Sequence, residues 1–195
     1  MTLKVKENAE LETTYFKVDN GSCYSYDSDN TTYIDNAIKT ITINKEPEPV
    51  EKLYLSSETY KIGDNDIKNY EEGDKYISRI EANTTLESYK NNLKTNGTIK
   101  VIKQDGTELS DGEFIGTGMT LQVTKDEEKI ELQIAVMGDL DGNGKITATD
   151  LSTMNQNVIG LIELENEYAI AADLDENTNI TATDLSELNQ MLLKD

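Results

Sequence analysis

Histidine and tryptophan are both absent from this chain of 195 residues, and each absence removes a class of chemistry. Without histidine, no side chain ordinarily changes charge near neutral pH, and no Ser-His, Cys-His or zinc-His arrangement can be assembled. Catalysis would have to rest on carboxylates, tyrosines or lysines. Without tryptophan, the indole platforms that stack on sugar rings are missing, although ten tyrosines leave a carbohydrate role open. The single cysteine, Cys23, excludes an internal disulfide framework and reads as a small buried or half-buried side chain. No run of about 18 apolar residues is present to span a bilayer, and Met1 to Leu11 is too polar for a secretory h-region. The chain as given therefore reads as soluble, with no export signal of its own. Positive charge is scarce as well: 18 basic residues stand against 38 acidic ones, for a net charge of -20. Such an excess repels phosphate backbones and anionic surfaces, which argues against nucleic acid as a partner and against membrane insertion.

What is present reads as small modules in series, an α+β multi-module chain. Over residues 1–45 the sequence alternates like short strands: Tyr15-Phe16-Lys17-Val18, an Asn20-Gly21 turn, Cys23-Tyr24-Ser25-Tyr26, and Lys39-Thr40-Ile41-Thr42-Ile43-Asn44. These strands are too few for a full sandwich, and their texture resembles the tail of an immunoglobulin-like or fibronectin-like repeat. Both prolines, Pro47 and Pro49, fall in residues 46–51, where fixed φ and missing donors favour an extended linker.

Residues 52–137 predict a small sheet carrying one helix. Strands are expected at Lys52 to Leu55, Lys75 to Ile80 and Thr98 to Lys103, and Asp105-Gly106 should turn the chain. Met119 to Thr124 is expected to pair with Lys129 to Val136 across Lys125-Asp126-Glu127-Glu128. The helix is expected to start at a Thr84 cap with Glu87 returning the bond, to bury Leu86, Tyr89 and Leu93 on one face, and to end at Asn96-Gly97.

The strongest signal lies in residues 138–195. Ile146-Thr147-Ala148-Thr149-Asp150-Leu151 recurs unchanged 34 residues later as Ile180-Thr181-Ala182-Thr183-Asp184-Leu185. Ahead of the copies stand Asp139, Asp141 and Asn143, then Asp173, Asp175 and Asn177. Counted from its first aspartate, each copy carries oxygen-bearing side chains at positions 1, 3, 5, 9 and 12, the ligand spacing of an EF-hand-like loop. The spacing has a physical cause: a cation of calcium's size takes six to eight oxygens at about 2.3–2.6 Å from a chain that curls around it. In the first loop the expected donors are the side chains of Asp139, Asp141 and Asn143, the carbonyl of Lys145, Thr147 directly or through water, and a bidentate Asp150. In the second they are Asp173, Asp175, Asn177, the carbonyl of Asn179, Thr181 and Asp184. Two calcium ions are expected, the second bound more weakly, because Thr178 stands at the sharp turn where the first loop has Gly144, and positive φ strains a β-branched residue. Ile146 and Ile180 could pair the loops through a short β-bridge.

No helix enters the first loop, since Ile130 to Val136 alternates like a strand. Helices leave both: about Thr149 to Val158 with Leu151, Met154 and Val158 apolar, and about Thr183 to Leu193 with Leu185, Leu188 and Leu192. A short helix is expected between them, around Glu165 to Ala171. This loop-plus-exit-helix duplication resembles a type I-like dockerin, an all-α module. The resemblance implies a non-catalytic, calcium-dependent interaction module whose partner is a cohesin-like domain, and which attaches a secreted protein to a cellulosome-like scaffold or a cell surface. It also implies a recognition surface at Ala148, Thr149, Asn155 and Gln156 and their second-copy counterparts Ala182, Thr183, Asn189 and Gln190, identical sets that would let a partner bind in two orientations. Gly160 and Lys194 break the symmetry. The preceding module, through Ile115-Gly116-Thr117-Gly118-Met119-Thr120-Leu121, resembles an uncharacterised domain found beside dockerins in Firmicutes surface proteins.

Millimolar calcium is found outside cells, so the parent chain is expected to be extracellular or at the cell surface. Two other readings stay open. The chain could be part of a polysaccharide-degrading glycoside hydrolase whose catalytic domain lies outside these residues, or residues 52–137 could be a carbohydrate-binding or adhesin module. These residues themselves offer no opposed carboxylates with aromatic walls, so no enzyme is expected here.

Overall fold

The computed structural model describes residues 51–63 and 69–194. The strand segment expected over residues 1–45, Cys23 and nearly all of the proline linker lie outside the described residues. From Glu51 onward the chain forms one compact unit. Its elements are β1 (Leu55–Ser57), β2 (Lys61–Ile62), β3 (Tyr76–Ile80), α1 (Leu86–Asn91), β4 (Leu93–Thr95), β5 (Thr98–Ile102), β6 (Thr120–Lys125), β7 (Glu128–Val136), α2 (Ala148–Val158), α3 (Asn166–Ala172) and α4 (Ala182–Leu192).

Five strands form a sheet in the order β2-β3-β7-β6-β5, and β1 pairs separately with β4. All of these pairings are antiparallel except β3 with β7. The expected β6–β7 hairpin forms with a tighter turn: Lys125 pairs with Glu128, leaving Asp126 and Glu127 at the tip. Asp126 takes φ of 53°, a left-handed conformation that aspartate tolerates.

The helix of this module is shorter than expected. Its N-cap is Thr85, whose hydroxyl accepts from the Ser88 amide, while the Thr84 hydroxyl donates to the Glu81 carbonyl. Asn92 ends it by donating its side-chain amide to the Ser88 carbonyl. Leu93 keeps the helical spacing from Leu86 but lies in β4, paired with Ser57. Asn96-Gly97 consequently connects two strands. Gly97 is favoured there by space, since a Cβ would lie 2.9 Å from the Thr124 carbonyl oxygen.

One apolar cluster, with Ile77, Ile80, Tyr89, Leu121 and Leu132 among its fully buried members, fills the sheet side of the unit. A second gathers Leu140, Ile146, Met154, Ala171, Ala172 and Leu188 around the loops and helices. Strand β7 belongs to both: Ile134 and Val136 point into the first cluster, Ala135 into the second. The burial of three consecutive residues departs from alternation because α3 packs against this end of the strand.

Candidate metal centre

Each loop folds around its first aspartate. Asp139 Oδ1 accepts from the amides of Gly142 (2.9 Å) and Asn143 (3.1 Å), and its Oδ2 accepts from Gly144 (3.0 Å). In the second loop Asp173 receives the amides of Asn177 (3.1 Å) and Thr178 (2.9 Å). Asn143 Oδ1 takes the Lys145 amide and Asn177 Oδ1 the Asn179 amide. The tight curl needs positive φ at loop positions four and six: Gly142 (80°) and Gly144 (78°) in the first, Glu176 (56°) and Thr178 (72°) in the second. The strain anticipated at Thr178 is present.

The twelfth residue closes each loop onto its helix. Asp150 Oδ1 accepts from Leu140 (2.8 Å) and Asp141 (3.1 Å), and Oδ2 from the Thr147 amide and hydroxyl (both 2.7 Å). Asp184 repeats this with Leu174, Asp175 and Thr181. Thr147 and Thr181 are the N-caps of α2 and α4 in reciprocal capping boxes. The position-nine hydroxyls are thus occupied in capping, a role the ligand spacing did not indicate. Ile146 and Ile180 form no β-bridge among the described residues; Ile146 is buried in the second cluster and Ile180 packs against that cluster.

Carboxylate oxygens of Asp139, Asp141 and Asp150 lie within 4.8 Å of one another, as do those of Asp173, Asp175 and Asp184. Asp139, Asp150 and Asp184 are fully buried. Burial pushes the Asp139 carboxyl above its usual range, opposed by the Thr117 and Gly144 amides and reinforced by Asp150. Asp173 is raised for the same first reason, burial. At Asp184 burial also acts upward, but hydrogen bonds from Thr181, Asp175 and Leu174 outweigh it and leave the carboxyl low. Crowded, desolvated carboxylates with further side-chain and carbonyl oxygens fit a hard divalent cation, whose charge would offset their repulsion.

Helices α2 and α4 pack side by side and leave a groove of about 520 Å³. Ala148, Ser152 and Asn155 line it from one side and Ala182, Ser186 and Asn189 from the other, with the half-buried Leu151 and Leu185 between. Four of the eight expected recognition residues are thus brought together. Thr149, Thr183 and Gln190 are exposed outside the lining, and Gln156 is half-buried beside Ser152. The helix C-caps add two large side chains the sequence reading did not select: Ile159 is 61% exposed and Leu193, its counterpart in the repeat, 78%. Amphipathic spacing could have found them, since both fall off the buried stripe.

Two oxygen-lined loops, each capping one exit helix, define a duplicated loop-helix module in which strand β7 leads to the first loop and α3 runs directly into the second, with Asp173 as its C-cap. Residues 137–193 match the family model of the dockerin type I domain. Dockerins are non-catalytic modules that bind calcium and cohesin domains. No curated protein and no solved structure matches the chain. Among the described residues no helix is long and apolar enough to cross a membrane.

Proposed function

We propose that residues 138–194 dock a cohesin-like domain through the α2/α4 groove, and that calcium in both loops holds this surface in shape. The double role of Asp150 and Asp184 carries the reading: each belongs to a carboxylate cluster and also caps the helix that lines the groove. Calcium supplies the positive charge that lets these carboxylates stay ionised and buried, and that stabilises only the ordered loop. Asp139, Asp141, Asn143 and Asp150 hold the first ion, and Asp173, Asp175, Asn177 and Asp184 hold the second, with the Lys145 and Asn179 carbonyls completing each set. No charged side chain lines the groove, which favours an uncharged partner face. The same four residue types, alanine, leucine, serine and asparagine, come from each helix, which supports two binding orientations. Exposed Ile159 and Leu193 extend the contact at either end.

Docking to a scaffold or surface outside the cell suits this reading, since the millimolar calcium found there would keep both loops occupied, and the parent chain is on this reading a secreted protein. The test is binding of the purified chain to a panel of isolated cohesin domains, measured by calorimetry in millimolar calcium and again with excess chelator. Binding in calcium that chelator abolishes is expected. Binding indifferent to chelator, or none across the panel, would sink the reading.

A further inference from the structure

The match to dockerins begins at residue 137, yet a donor to the first calcium cluster lies twenty residues earlier in the sheet module. The Thr117 amide donates to Asp139 Oδ2 at 2.8 Å, inside a fully buried pair. Thr117 is itself fixed, because its hydroxyl accepts from the Val136 amide at 3.0 Å. A second strap joins the Asn83 amide to the Gly144 carbonyl at 2.8 Å.

Glycines mark the seam from both sides. A Cβ on Gly116 would lie 2.2 Å from the Gly142 carbonyl oxygen, one on Gly142 would lie 2.8 Å from the Thr117 carbonyl oxygen, and one on Gly144 would lie 2.5 Å from the Ile115 carbonyl oxygen. The second loop reaches the same positive φ with Glu176 and Thr178, so the curl alone does not demand glycine at these positions. Backbone-to-backbone approach does. Loop two is held to the sheet module by the exposed Arg79–Glu176 ion pair and a longer contact from Lys61.

We propose that residues 51–136 are a working part of the first calcium site: the Thr117 amide is a positioning group for Asp139, so ion binding in loop one and folding of the sheet module stabilise each other. Loop two binds without that amide. This rests on the calcium reading above. An outer donor of this kind ordinarily changes metal affinity by roughly tenfold or more.

The experiment compares the full chain with Gly116→Ala, which forces the seam apart. Calcium calorimetry is expected to show one site weakened by about tenfold in Gly116→Ala and the other unchanged. Native-state hydrogen exchange on the unaltered chain supplies a readout that needs no variant: calcium should slow exchange at Thr117. If Gly116→Ala fails to fold, exchange at Thr117 decides. Two unchanged sites in a folded Gly116→Ala chain, or exchange at Thr117 indifferent to calcium that demonstrably binds, overturns the coupling while leaving the docking reading intact. Calcium binding at neither loop overturns both.

Discussion

Arg79 and Glu176, 97 residues apart in the chain, form a two-pronged ion pair, Nε to Oε1 at 2.6 Å and Nη2 to Oε2 at 2.5 Å. Arg79 takes φ of 60° where the β3–β7 register shifts, an irregularity that re-aims its side chain. The hydrogen bond from Arg79 holds the Glu176 carboxyl below its usual range, against a smaller opposing effect of burial, and Lys61 adds to the lowering. A depressed folded pKa contributes stability that is present above the unfolded value and disappears as pH falls through the folded one. Both partners are well exposed, so Glu176→Gln should cost no more than about 1 kcal/mol at neutral pH. The difference from the natural chain should shrink in high salt and in acid. Thermal melts at three salt concentrations check this; a salt-independent loss would argue against it.

Removing calcium should melt α2 and α4 while leaving the β-sheet. At free calcium a hundredfold above the dissociation constant, each occupied site adds about 2.7 kcal/mol to the ordered state. Far-ultraviolet circular dichroism with chelator should therefore show less helix with retained strand signal, and restored helix on recalcification.

Thr178→Gly should tighten the second site. The left-handed conformation costs a β-branched residue on the order of 1–2 kcal/mol, and glycine returns part of that through its greater freedom when unfolded. A gain of about three- to tenfold in affinity at one site is expected by calorimetry. A gain at the other site instead would show that the weak and strong loops have been interchanged.

Tyr89→Phe should stabilise the sheet module. The Tyr89 hydroxyl is buried with no hydrogen-bond partner, its ring 5.2 Å from that of Tyr60. Burial pushes this phenol well above its usual range, with a further upward push from Tyr60. A raised folded pKa gives stability that is full below the unfolded value, about 10, and is lost at higher pH. Removing the orphan oxygen should gain about 1 kcal/mol at neutral pH and more above pH ~10. Melts from pH 7 upward should show a constant difference between the two chains that widens above pH ~10.

Asn155→Glu and Asn189→Glu should weaken partner binding by similar factors, because both line the groove and the half-turn that relates the two orientations exchanges them. Clearly unequal losses in calorimetry would mean one orientation only.

The duplicated loops were legible because most of what shapes them is local: the spaced carboxylates, caps and exit helices lie within one repeat, and both exit-helix starts fall within a residue of expectation. What the sequence concealed is non-local. Leu93 satisfies a helical stripe, and only the distant pairing of β4 with β1 shows that it belongs to a strand. Ile146 and Ile180 read as bridge partners, but among the described residues they form no bridge and instead contribute to one apolar cluster. The glycines around Thr117 stood out as a motif, and their reasons are distant ones: Gly116 lies against the Gly142 carbonyl, and Gly118 takes φ of 80° beside Gln104 and Tyr168.

Strand β7 offers its two faces to different cores, and this bears on how the docking unit can be transplanted. A graft cut at residue 137 would carry away Ala171 and Leu188 without Ala135 beneath them, and would leave Asp139 short of one amide. An affinity handle borrowed from this protein should begin at residue 51, so that the sheet travels as its foundation.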